Sequence, residues 1–269
     1  MKKKIISLVL IAVLALSLLA ACGGGKDTVT LKVGATPTPH AEILEIVKDN
    51  LAEQGITLEI VEYTDYVQPN NAVESGDLDA NYFQHITYMN NFNTENGTHL
   101  VSVASIHYEP FGIYAGKTSS LADLTQGSKV GIPNDPTNGG RALLLLQEQG
   151  LITLPADAGL EPTVLDIIDN PLGLEIVEMD AAQLPRSLDS LDVAVINGNY
   201  ALQADLKVAD ALAIESAGGT AGVAYANIIT VKEGNENSEA VLALIAALQS
   251  QEVADYIANT YGGAVVPVF

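Results

Sequence analysis

Short apolar runs alternate with amphipathic stretches along most of the 269 residues. "LKVGA" (31–35) leads into "TPTPHAEILEIVKDNLAEQG", where Ile43, Leu44, Val47 and Leu51 share one face of a 3.6-residue period and Gly55 supplies the stop. "ITLEIVEY" (56–63) predicts the next strand, and "QPNNAVESG" a short helix with Pro69 near its first turn. Strands follow at "DANYF" (79–83), ending at Phe83, and at "VSVASIHY" (101–108). "FGIYAG", "KVGIP", "LEIVEM" and "DVAVI" continue the series, with helical patterns between several of them. "ANIITVK" (226–232) is the last strand, and "SEAVLALIAALQSQEVADYIANTYGG" carries a helical pattern toward the C-terminus. This alternation predicts an α/β protein with largely parallel sheets covered by helices on both faces.

No Pro/Gly/Ser linker splits the chain into sequential halves, so either one long sheet or two domains joined by crossing strands is expected. "SIHYEPFGIY" (105–114) has the form of one crossover, and "YANIITV" (225–231) that of the return. The N-terminus follows a different rule. Lys2, Lys3 and Lys4 precede an apolar run from Ile5 to Leu19 and then "LAAC", ending at Cys22. A basic start, a short apolar core and small residues at the cut predict an export signal over 1–21. "LAAC" resembles the lipobox of bacterial lipoproteins, which makes Cys22 the expected lipidation (palmitate) site, and "CGGGKDT" reads as a tether over 22–29. Cleavage there would leave 248 residues and take the formal charge from −21 to −24. So acidic a surface argues against nucleic acid and anionic lipid headgroups as partners.

In open α/β sheets ligands bind beyond the carboxyl ends of strands. Tyr66 follows "ITLEIVEY"; His85 and Tyr88 follow "DANYF"; "NDPTNGGR" follows "KVGIP"; "NGNY", with Asn197, follows "DVAVI". Aromatic rings with a few polar groups on one rim suit a small amphipathic ligand. Arg141 is one of only two arginines. It is expected on the loop at a helix start, beside backbone N–H groups that favour an anion, where its fork would bind a carboxylate. The competing reading pairs Arg141 with one of the 33 acids. Arg186 has Asp189 three residues on and reads as structural.

Enzyme motifs are missing. "GIYAGKT" (112–118) falls one residue short of a phosphate-binding loop, which would require glycine at Phe111. His40, His85, His99 and His107 show no metal-binding spacing, and the "NGT" at 96–98 reads as a chance sequon.

The order of "YFQH", "HYEPFGIY", "IPNDPTNGGRALLLL", "AAQLPRSL", "INGNYAL" and "YANII" resembles the methionine-binding lipoproteins of the NlpA type, substrate-binding components of ABC importers. The resemblance implies a periplasmic-binding-protein-like (type II) α/β fold: two lobes joined by crossover strands, with a ligand cleft between them. Lobe one would take 30–110 plus 230–269, and lobe two 111–229. It implies a lipid-anchored, extracytoplasmic protein that captures L-methionine or a close relative, with a permease and an ATPase as partners, no cofactor, no metal and no catalysis. Tyr66, Phe83, His85 and Tyr88 would surround the ligand side chain. Arg141 would hold the carboxylate, with Asn197 and Asn227 fixing the polar end. Two departures from the family pattern stand beside these residues: Thr87 where the family has proline, and the glycine-rich "SAGGTAGVAYAN" before Asn227.

Overall fold

The computed structural model describes residues 28–216 and 220–269. The expected signal segment, Cys22 and part of the glycine-rich stretch lie outside the described residues. The strands are β1 (Val29–Ala35), β2 (Ile56–Glu62), β3 (Ala80–His85), β4 (Leu100–Tyr108), β5 (Gly112–Ala115), β6 (Lys129–Pro133), β7 (Glu175–Met179), β8 (Val193–Ile196), β9 (Ala213–Ile214), β10 (Ala226–Lys232) and β11 (Val266–Pro267). They form two sheets, ordered β11-β4-β10-β3-β1-β2 and β7-β6-β8-β5-β9.

Alternate residues of each strand feed opposite faces, which is how both sheets come to be covered twice. In β3, Tyr82 joins the cluster with Ile43, Leu44, Leu51 and Leu244, whereas neighbouring Phe83 joins Val73, Met89 and Phe92. In the second sheet Val193 and Val195 pack with Leu143 and Leu146, while Ala194 and Ile196 pack with Leu184 and Tyr200.

The sheets are mixed rather than largely parallel. Among the described residues, parallel pairing is confined to β1 with β2 and β3, and to β6 with β7 and β8. β10 runs antiparallel to both β3 and β4, and β5 to both β8 and β9. The cause is the crossing. β4 leaves the first sheet at Tyr108, and β5 enters the second at Gly112 heading back against β8. The return leaves β9 at Ile214, and the first sheet resumes at Ala226, opposite Tyr108. Residues 226–229 therefore belong to the first sheet, not to the second lobe as a boundary at 229/230 would have it. The C-terminal pattern is likewise two helices, Glu239–Leu248 and Gln251–Thr260, each capped by its own serine, Ser238 and Ser250.

The helix Pro136–Glu148 is pressed closely onto the loop that follows it. A β-carbon on Gly140 would stand 2.7 Å from Glu161 Cα and 2.8 Å from the Leu160 carbonyl oxygen. Alanine in a helix interior gains about 1 kcal/mol over glycine. Displacing backbone atoms costs about 1–3 kcal/mol and wins here. Gly140→Ala should lower the urea midpoint of unfolding; an unchanged or raised midpoint would show that this loop yields freely.

Candidate ligand-binding site

The site is built where strand ends from the two sheets face each other. β3 and β4 run out on one edge of the first sheet, and antiparallel β10 starts there, placing Asn227 opposite His85 and His107. Across the cleft, the second sheet presents Asn197 just after β8, and the helix Pro136–Glu148 after β6. Between them lies a narrow cavity. Tyr66, Phe83, His85, Tyr88, Arg141, Asn197 and Asn227 all line it, together with Gln84, Glu109, Asn138, Gly198 and Asn199. Arg186, in the helix Leu184–Ser187, does not.

The aromatic side chains make one wall. The Tyr66 ring lies 5.7 Å from Phe83, 5.8 Å from Tyr88 and 4.9 Å from Tyr200, centroid to centroid. The cleft is shut in this structure. Tyr66 Oη donates to Asn199 Oδ1 at 2.5 Å, Tyr200 Oη to the Thr64 carbonyl at 3.2 Å, and Thr87 Oγ1 to the Ala224 carbonyl at 2.8 Å. Thr87, the departure from the family pattern, thus ties the first lobe to the segment that returns from the second.

Polar side chains around the cavity are held from behind. β3 extends to His85, two residues past its expected end, and His85 caps the helix Ile86–Asn96 by accepting the Tyr88 backbone N–H at its Nδ1. Its Nε2–H then faces Asn138 Oδ1 at 3.2 Å. With both nitrogens used, His85 offers the cavity only its ring, and burial drops its pKa to about 3. Asn138 Oδ1 also accepts from Asn197 Nδ2 at 2.8 Å, while Asn138 Nδ2 donates to both oxygens of Asp135. The amide of Asn197 is thereby fixed with Oδ1 buried and unpartnered, and Asn199 is fixed with Nδ2 in the same condition.

Arg141 differs from its expectation in two ways. It lies inside the helix Pro136–Glu148, in the second turn, not on a loop at its start. The helix N-terminus is already capped, since Asp135 accepts the Asn138 backbone N–H, so no free backbone anion site exists there. Arg141 is 5% exposed and does pair with an acid: Nε donates to Glu215 Oε1 and Oε2 at 3.1 and 3.0 Å, and Nη2 to Glu215 Oε1. Nη2 also donates to the Glu109 carbonyl at 2.9 Å. The guanidinium rests over the Tyr225 ring at 4.3 Å and the Phe111 ring at 4.8 Å. Among the described residues Nη1 has no hydrogen-bond acceptor. The pairing with an acid is therefore the reading that the structure shows for this residue.

A match to the NlpA lipoprotein family model covers residues 31–269, almost everything past the expected signal and tether. The chain belongs to the NlpA lipoprotein family. It is 42% identical over 271 residues to membrane lipoprotein TpN32 of Treponema pallidum, covering 99% of each chain. It is 42% identical over 253 residues to the D-methionine-binding lipoprotein MetQ of Salmonella typhimurium, covering 92% of each. A nutrient binding protein from Burkholderia cenocepacia, solved bound to methionine, superposes with a TM-score of 0.84 at 45% identity, covering 89% of this chain and all of that one. The fold is therefore of the periplasmic-binding-protein type, and the chain is a membrane-associated lipoprotein of the substrate-binding kind.

Glu109 and Asn138 also line the cavity of this NlpA-family chain without having been singled out from the sequence, whereas Asn199 belongs to the "NGNY" that the strand-end rule collects after β8. Glu109 follows β4 directly, so the strand-end rule reaches it once "VSVASIHY" is treated like the other strands. Burial raises its pKa. Behind it, His40, His107 and Glu109 bring ligand atoms within 4.8 Å of one another, a juxtaposition that the wide sequence spacing concealed. Gly198 is packed so tightly on Glu109 that an added β-carbon would stand 2.6 Å from Oε2.

Burial makes the three inner histidines hard to protonate: His40 falls to about 4, and His85 and His107 to about 3. The unfolded chain takes protons at these positions below the ordinary value of 6.5, while the folded chain refuses them. Stability is then complete above pH 6.5 and is lost as pH falls toward 4, by about 1.4 kcal/mol per pH unit for each histidine. Glu109 and Asp135, raised by burial, oppose part of this loss. Urea unfolding should show a clearly lower midpoint at pH 5 than at pH 7; equal midpoints would contradict neutral buried histidines.

Proposed function

We propose that this protein captures methionine, or an amino acid close to it, outside the cytoplasmic membrane and hands it to an ABC importer. Cys22 carries the lipid anchor, and the importer supplies a permease and an ATPase. The chain does no chemistry on its ligand. What carries the reading is the set of polar atoms that the protein leaves over in the cavity. Donors remain at Arg141 Nη1, Asn199 Nδ2 and Asn227 Nδ2, which suit a carboxylate. Acceptors remain at Asn197 Oδ1 and the Glu109 carboxylate, which suit an ammonium group. Beside this head-group site, Tyr66, Phe83 and Tyr88 form an apolar wall suited to a thioether, whose sulfur gains from ring edges. The names of MetQ and of the methionine-bound relative support the same ligand.

Calorimetry on protein emptied by unfolding and refolding tests this. L-methionine, D-methionine, methionine sulfoxide, leucine and a glycyl-methionine dipeptide separate side-chain, stereochemical and head-group requirements. Methionine should bind best, and its amide poorly. If none of the five binds, the reading is wrong.

Arg141→Lys keeps a cation opposite Glu215 but cannot serve Glu215 and a ligand carboxylate together, because a single ammonium lacks the fork. Methionine affinity should fall about tenfold or more, the size of one hydrogen bond to a charged group. The amide should lose much less. An equal loss for both ligands would put the carboxylate elsewhere. Arg141→Ala is a poorer probe, since it strands Glu215 buried and unpaired and costs about 3–5 kcal/mol of stability.

A further inference from the structure

His40 and His107 touch the site only from behind, and the established features of the fold give them no task. His40 is 1% exposed and His107 fully buried. Thr36 Oγ1 lies 2.6 Å from His40 Nδ1, and His40 Nε2 lies 2.9 Å from Asn227 Oδ1 and 3.4 Å from Glu109 Oε1. Tyr82 Oη meets His107 Nδ1, and His107 Nε2 lies 2.8 Å from Glu109 Oε1. On each ring a hydroxyl sits at Nδ1, while two oxygens sit at Nε2 of His40 and one at Nε2 of His107. We infer that His40 and His107 are positioning residues that set the polarity of the cavity: both are Nε2–H donors, one turning the Asn227 amide and the other orienting the Glu109 carboxylate. The inference rests on the reading of the cavity as an amino-acid site.

Two oxygens converge on His40 Nε2, and they are accommodated together only if that nitrogen carries the proton. Its partner Asn227 then presents Oδ1 backward and Nδ2 toward the ligand, as a donor. Were the amide reversed, its oxygen would face the ligand carboxylate. In the same way, the Tyr82 hydroxyl donates to His107 Nδ1, so His107 Nε2–H donates to Glu109. Burial works against the Glu109 carboxylate, and the Arg141 charge and the Asn199 backbone N–H oppose that; as a carboxylate it is an acceptor for the ligand ammonium. The same arrangement disfavours a metal at this cluster despite its close ligand atoms. A ring nitrogen that holds a proton has no lone pair to give.

Long-range nitrogen–proton NMR correlation on the labelled full-length chain reads the tautomers directly, with or without ligand. His40 and His107 should both appear as neutral Nε2–H rings at pH 7. Calorimetry with L-methionine reads the consequence. His40→Leu should weaken binding about tenfold, and His40→Gln, whose amide keeps an N–H donor within reach of Asn227, should recover most of that loss. An Nδ1–H tautomer at either ring overturns the inference. So does folded His40→Leu binding within about threefold of wild type, or His40→Gln binding no better than His40→Leu. Wild-type protein that binds no methionine overturns the functional reading instead, and the tautomers still decide this one.

Discussion

The carboxylate of Glu215 ties three parts of the molecule together beside the cleft. It accepts from the Arg141 guanidinium, from the Tyr108 hydroxyl at 2.6 Å and from the Phe111 backbone N–H at 2.9 Å. Tyr108 ends the last strand before the first crossover, Phe111 lies on that crossover, and Glu215 stands where the chain starts back. Both connections between the lobes are therefore fastened to one buried ion pair, and that pair holds an arginine that lines the cavity. A buried pair of this kind adds little net stability, because desolvating two charges consumes most of the Coulomb gain. What it supplies is placement: the guanidinium is held on Glu215 and the Glu109 carbonyl.

The amides around the cavity follow the same logic on a smaller scale. Asp135 fixes Asn138, Asn138 fixes Asn197 and His85, and Tyr66 fixes Asn199. Asn138 and His85 spend both sides of their hydrogen-bonding capacity on the protein, whereas Asn197 keeps Oδ1 and Asn199 keeps Nδ2 unpartnered. Such preorganisation lowers the ordering cost of binding, which is where affinity is usually lost. It also makes the site intolerant of small changes behind it, as the packing of Gly198 on Glu109 shows.

Much of this was legible in the sequence, and the failures have physical causes. Strand periodicity located the elements, and the strand-end rule collected Tyr66, Phe83, His85, Tyr88, Arg141 and Asn197. Asn227 came only from family resemblance, because it begins its strand. It reaches the rim since β10 runs antiparallel, and strand direction cannot be read from a single apolar run. The Arg141–Glu215 pair spans 74 residues, and a charge among so many acids gives no hint of which one it meets. The cap at Asp135 was misjudged as a vacant anion site, although an aspartate before proline at a helix start is itself the usual occupant. The His40–His107–Glu109 cluster joins a β1 exit to a β4 exit, and sequence spacing carries no trace of that meeting.

A crystal structure of the protein with methionine bound would test the central claim most directly, namely that Arg141 serves Glu215 and the ligand together. The carboxylate should lie within hydrogen-bond distance of Arg141 Nη1 while Nε and Nη2 keep Glu215, with the ammonium against Glu109 and the thioether among Tyr66, Phe83 and Tyr88. A methionine bound with its carboxylate away from Arg141, or one that draws the guanidinium off Glu215, would contradict it.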